Sequence, residues 1–249
     1  MSERSGRVGG RSGAHRVGRY ASLILAPAYW AAFRARTQDQ REWLYPSGTP
    51  QVSVPGTRPA RILVIGDGPA AGAGVRIHEL GITGHLARCV AANSGRGAVV
   101  TAAAQPAASA RGTLKGLDPA TLVGYDAIVL MLATTDAFCL TPRRSWRRSM
   151  TGILDILTSA DAAVFVTSAA DMQLARSLSP LGRWLTGSHA RMLDAETRAV
   201  CERSSTRLIR LDAASDLGAR TYATWGRRIG AAVTASLDDA AKPAATRHG

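Results

Sequence analysis

From residue 61 onward, short apolar runs alternate with longer stretches in which apolar residues recur at helical spacing. RILVIG (61–66), GAVVTA (97–102), DAIVLML (126–132), AAVFVTS (162–168) and RLIRL (207–211) are brief, rich in β-branched residues and bounded by turn formers, the pattern of buried strands. Between them the spacing predicts helices. One opens from the glycine-rich loop 66–74 and runs to about residue 92. The others cover about 109–122, 142–159, 189–203 and 219–237. Strands separated by helices need crossovers, and crossovers make a parallel sheet covered on both faces. The expected architecture is a three-layer α/β/α, flavodoxin-like sandwich with a five-stranded parallel sheet, over residues 59–238. In such sheets chemistry gathers beyond the carboxyl ends of the strands. The loops 66–74, 103–109, 133–141 and 212–220 are therefore the candidates.

Outside that pattern the chain changes character. Residues 1–19 are mostly Ser, Gly and Arg, which predicts a disordered basic arm. Tyr20–Phe33 is an apolar run of 14 residues with Arg16 and Arg19 before it and Arg34 and Arg36 after it. A signal-peptide core fits poorly, because no small-x-small cleavage site follows. An interfacial helix over 16–36, with arginines reaching anionic headgroups, and a helix packed on the main domain both remain open. Residues 37–58 carry Pro46, Gly48, Pro50, Pro55 and Gly56 and read as a linker. Residues 1–58 are thus an arm, apolar helix and linker, and 239–249 a disordered tail.

Charge sharpens this division. The 249 residues hold 31 Lys+Arg against 18 Asp+Glu, a net charge of +13. All but Lys115 and Lys242 of the basic residues are arginines, and they are scattered rather than striped, so nucleic acid is not the expected partner. Residues 1–44 contain eight arginines and three acids, over a third of the excess. No uninterrupted apolar stretch reaches 18 residues, so no conventional membrane span is expected. Cys89, Cys139 and Cys201 fit neither a disulfide framework nor a zinc spacing. The expectation is a cytoplasmic, or peripherally membrane-bound, protein with no cofactor and no metal.

The glycine loop GDGPAAGAG is neither a Walker motif nor a dinucleotide fingerprint. Taken together, though, the loops resemble one family. RILVIGDGPAAGAGV is similar to the first block of the SGNH/GDSL hydrolases, a strand, Gly-Asp-Ser and then Gly-x-Gly. DAIVLMLATTDAF resembles their third block, which ends Gly-x-Asn-Asp. DAASDLGARTYATWGRRI is similar to their last block, Asp-x-x-His-Pro followed by Gly-Tyr-x-x-Trp. The resemblance covers about residues 59–237 and implies acyl-ester chemistry. In that family a serine is deprotonated by a histidine, an aspartate orients the histidine, and amides with an asparagine hold the oxyanion.

Each of those positions is altered here. The serine position is Gly68. The second-block glycine falls near Ala107, the third-block glycine is Ala133, and the asparagine is Thr135. The histidine position is Asp216 and its aspartate is Ala213. Asp67, Gly72, Asp136, Tyr222 and Trp225 keep the family's residue types. The first expectation is therefore a pseudoenzyme that binds an acyl or glycan-like ligand in a pocket of Asp67, Gly68, Thr134, Thr135 and Asp136. A second reading keeps catalysis as an esterase or acyltransferase, with Asp67 or Asp136 as carboxylate, Thr134 or Thr135 as hydroxyl and His78 or His85 as base. These histidines are expected seven apart on one helix face. A third reading is a basic adaptor for membranes or nucleic acid, using the arm and PRRSWRR (142–148), where Trp146 sits among four arginines.

Overall fold

The computed structural model describes residues 44–169 and 179–241. The arm, with Tyr20–Phe33, and the tail from 242 lie outside the described residues. Six strands, β1 (Gln51–Val54), β2 (Ala60–Gly66), β3 (Ala98–Ala104), β4 (Ala127–Met131), β5 (Ala163–Thr167) and β6 (Arg207–Ile209), form one sheet in the order β1-β3-β2-β4-β5-β6. The expected five run parallel. The sixth, β1, is antiparallel to β3. It comes from the stretch expected to be a linker. Its QVSV is a half-buried edge strand, and flanking prolines hide it from pattern reading because proline is tolerated at a sheet edge.

The helices are α1 (Ile82–Ser94), α2 (Ala110–Gly116), α3 (Thr134–Phe138), α4 (Arg143–Leu157), α5 (Pro180–Arg203) and α6 (Ala219–Ala241). Strand alternation sorts the core into two layers. Ile62, Val64, Val129 and Met131 face Leu86 of α1 and Tyr222, Trp225 and Ile229 of α6. Leu63, Ile65, Ile128 and Leu130 face Trp146, Met150 and Ile153 of α4 and Leu193 of α5. Both faces of the sheet are thereby buried. On the second face Trp146 is fully buried, and its indole donates to the Thr197 hydroxyl (3.1 Å). The buried carboxylate of Glu196 accepts from Arg143 and from Arg147 (2.6 Å). The aromatic of PRRSWRR is thus a core residue, and two of its arginines fix α4 to α5.

Several boundaries differ from expectation. The glycine loop does not open a helix directly. Turns occupy 67–74, a short 3-10 turn follows at His78–Leu80, and α1 starts only at Ile82. Glycines at 72 and 74 both take positive φ, which keeps the backbone out of a helix there. The expected 109–122 helix splits into α2 and a 3-10 turn at Pro119–Leu122, because Pro119 cannot continue a helical hydrogen-bond ladder. Helix α6 runs to Ala241, into the expected tail.

In register, Gly66 at the end of β2 lies beside Ala104 of β3 and Met131 of β4. The three loops that follow open at one level. The chain order reverses here, with β3 on one side of β2 and β4 on the other, which is where such sheets form their crevice.

Candidate functional site

The site is built on the turn after β2. The Asp67 amide donates to the Met131 carbonyl (3.2 Å), tying the turn to the end of β4. The Asp67 carboxyl is buried, and its Oδ2 accepts from the Thr135 amide (2.9 Å) in the first turn of α3. Asp67 therefore caps the helix that follows β4 and joins the first and third blocks. Its Oδ1 is buried with no hydrogen-bond partner. Burial pushes the carboxyl up to about 7, opposed by the Thr135 amide and reinforced by the nearby Asp136.

Asp136 is buried and fully used. Its Oδ2 accepts from the Ala110 amide (2.8 Å) and its Oδ1 from the Thr141 hydroxyl (2.7 Å). Burial raises this carboxyl too, against the pull of those hydrogen bonds. Ala133, which leads into α3, has φ +106°. The family's glycine at this position is explained by that backbone, and the alanine here holds the same conformation under strain.

Gly68 is buried, and its φ is ordinary. A Cβ placed on it would point at the Tyr45 hydroxyl (3.4 Å), the Pro106 carbonyl oxygen (3.4 Å) and the Ala73 Cβ (3.8 Å). The seat of the family's nucleophile is thus walled by the second-block loop and by a tyrosine from upstream of β1. Burial pushes the Tyr45 phenol up, and the Asp67 charge adds to this. Among the described residues Tyr45 forms no hydrogen bond to Asp67.

The last block anchors the site from α6. The Tyr222 hydroxyl donates to the Ala73 carbonyl (2.7 Å), and the Trp225 indole donates to the Asp212 carbonyl (3.0 Å). Gly74, at φ +87°, lies against the Leu217 carbonyl with no space for a Cβ. These residues fix the loop 212–218 beside the glycine turn. Asp216 itself is exposed. Its backbone carbonyl accepts from Thr221 (3.1 Å), and its carboxylate makes no hydrogen bond or ion pair among the described residues.

The structure brings together Asp67, Gly68, Thr134, Thr135 and Asp136. Among the described residues it does not bring a histidine to them. His78 is in the 3-10 turn and His85 in α1, so they share no helix. The His85 ring contacts Arg88 through Nδ1 (3.1 Å), and its backbone faces Gly226 of α6. Burial lowers both imidazoles, at His78 against the pull of Glu79. His189 of α5 is spent on the carbonyl of Thr141 (2.8 Å), the residue whose hydroxyl braces Asp136. Sequence reasoning missed Tyr45, because its segment precedes every recognisable block. It also missed the Thr141–His189 contact, which carries no local signal. Among the described residues, no group of three or more His, Cys, Asp or Glu is placed to hold a metal ion.

Comparison with known proteins agrees with this geometry at the level of fold. No protein-family model and no curated protein matches the chain. Solved structures do. A lipase/acylhydrolase from Enterococcus faecalis matches with a TM-score of 0.58 at 16% identity, over 71% of this chain and 96% of the other. An alpha/beta hydrolase enzyme from the metagenome of Lake Arreo, Spain, gives 0.56 at 11% identity, over 73% and 97%. A G-D-S-L family protein from Desulfitobacterium hafniense DCB-2 gives 0.54 at 9% identity, over 69% and 98%. The described domain has the SGNH/GDSL hydrolase fold, with a sixth, antiparallel edge strand. At these identities the likeness is one of fold, and the chemistry has to be argued from the site.

Proposed function

We propose that this protein is an SGNH-fold pseudoenzyme, which has lost the Ser–His mechanism and uses the remaining cleft to bind a small acyl or sugar-ester ligand. One observation carries the reading: the nucleophile seat at Gly68 has no side chain, faces a tyrosine hydroxyl, and among the described residues has no histidine hydrogen-bonded into it. Loss of the nucleophile or the base alone costs a serine hydrolase about a million-fold in turnover. Here both positions have changed. The asparagine that would steady an oxyanion is Thr135, whose backbone amide is committed to Asp67. The two carboxyls at the site brace the fold, Asp67 by capping α3 and Asp136 by holding Ala110 and Thr141.

The test is hydrolysis of short p-nitrophenyl esters by the purified chain. The expected rate is that of buffer. Turnover that is lost in Thr135→Ala or Asp67→Asn would instead support the rearranged esterase.

A further inference from the structure

We propose that Leu44–Pro46 is a strap that seats the Tyr45 hydroxyl in the vacant nucleophile position and shuts the cleft at Gly68, so that a ligand reaches the cleft only when the strap lifts. Three consecutive residues each meet a different glycine of the turn after β2. The Leu44 carbonyl accepts from the Gly74 amide (2.8 Å). The Tyr45 hydroxyl stands 3.4 Å from the place a Cβ would take on Gly68. The Pro46 ring comes within 2.8 Å of the same place on Gly72, contact that only glycine admits.

The strap is held at its flanks rather than through the phenol. The buried ring donors Tyr222, Trp225 and Trp146 all have hydrogen-bond partners. The Tyr45 hydroxyl has none among the described residues. Tyr45 is only half-buried and its hydroxyl is not one of the buried unpaired polar atoms, so water can satisfy it and no bond at the phenol has to break for the strap to lift. Downstream the chain is fixed again where the Pro50 carbonyl accepts from Ala102 (2.7 Å). Between the strap and that anchor lies Gly48, exposed, at φ +95°, with nothing within 4 Å of its Cβ position. That is a hinge with room to turn.

The proposal stands on this geometry and not on the loss of catalysis. Ester turnover would overturn the pseudoenzyme reading and leave the strap untouched. The strap is tested with a thiol at the seat. In Gly68→Cys the new Cβ sits at ordinary contact distances. Methyl methanethiosulfonate labelling, read by peptide mass spectrometry, reports access to residue 68, with Cys89, Cys139 and Cys201 as internal controls. Adding Tyr45→Ala should speed labelling at 68 by about tenfold or more with the controls unchanged. Equal rates at 68 would overturn the strap. If the controls accelerate as well, the fold has loosened, and the unmutated protein decides. Amide exchange by NMR should then show Gly74, bonded to the strap, exchanging about tenfold faster than Ala71 and Ala73. Those two amides bond within the turn, to Asp67 and Gly68 (each 2.9 Å). Equal protection would overturn the proposal.

Discussion

Asp67 gives the clearest consequence of a single residue. An aspartate in an unfolded chain titrates near about 3.9. In the fold burial lifts this carboxyl to about 7. A group whose folded value is raised adds stability that is complete below the unfolded value and is lost as pH rises through the folded value. The window is therefore about pH 4 to 7, and the ionised form costs on the order of 4 kcal/mol above it. Asp67→Asn keeps an oxygen for the Thr135 amide and removes the titration. Urea unfolding across pH 4–7 should show the unmutated protein losing stability relative to the variant; parallel curves would refute the assignment. At Ala133, replacement by glycine releases a positive-φ alanine and should raise stability by about 0.5–1 kcal/mol, or about 2 °C in Tm. A lower Tm would show that the alanine is not strained.

Elements differ in how plainly the sequence announces them. The central strands were legible because each is a short apolar run buried on both faces, and α4 because Trp146, Met150, Ile153 and Leu157 repeat at helical spacing. The start of α1 was not, because the turn at 67–74 is set by close approaches to Leu217 and Pro46, which are distant in sequence. Strand β1 was not, because its four residues alternate between proline-rich flanks. The site was half legible: the blocks pointed to the turn after β2, which holds Asp67 and Gly68, and to the segment after β4, which holds Asp136 in α3, while Tyr45 follows no block. Helix α6 holds the turn by the Tyr222–Ala73 hydrogen bond, so Tyr222→Phe leaves a carbonyl unpaired. It should cost about 1–2 kcal/mol in chemical denaturation. No change would mean that the helix is held by packing alone. At Gly226, a Cβ would stand 2.6 Å from the His85 Cβ. Gly226→Ala should therefore force α1 and α6 apart and cost about 1–3 kcal/mol by the same measurement.

At the scale of the whole molecule, the proposed function separates the fold from the family's chemistry. The glycines and aromatics that shape the crevice persist: Gly66, Gly72, Gly74, Tyr222 and Trp225 all make contacts that position the loops. Gly68 and Asp216 stand at the family's serine and histidine positions, and the described histidines are placed elsewhere. Among the described residues no helix is long and apolar enough to cross a membrane. The central claim is that nothing in the crevice forms an acyl intermediate. Intact-mass spectrometry after incubation with excess p-nitrophenyl acetate, at pH values where any weak nucleophile would be free, tests it most directly. The account expects the unmodified mass and no burst of p-nitrophenol above buffer. A stoichiometric acetyl adduct mapping to Tyr45, Thr134 or Thr135 would contradict it.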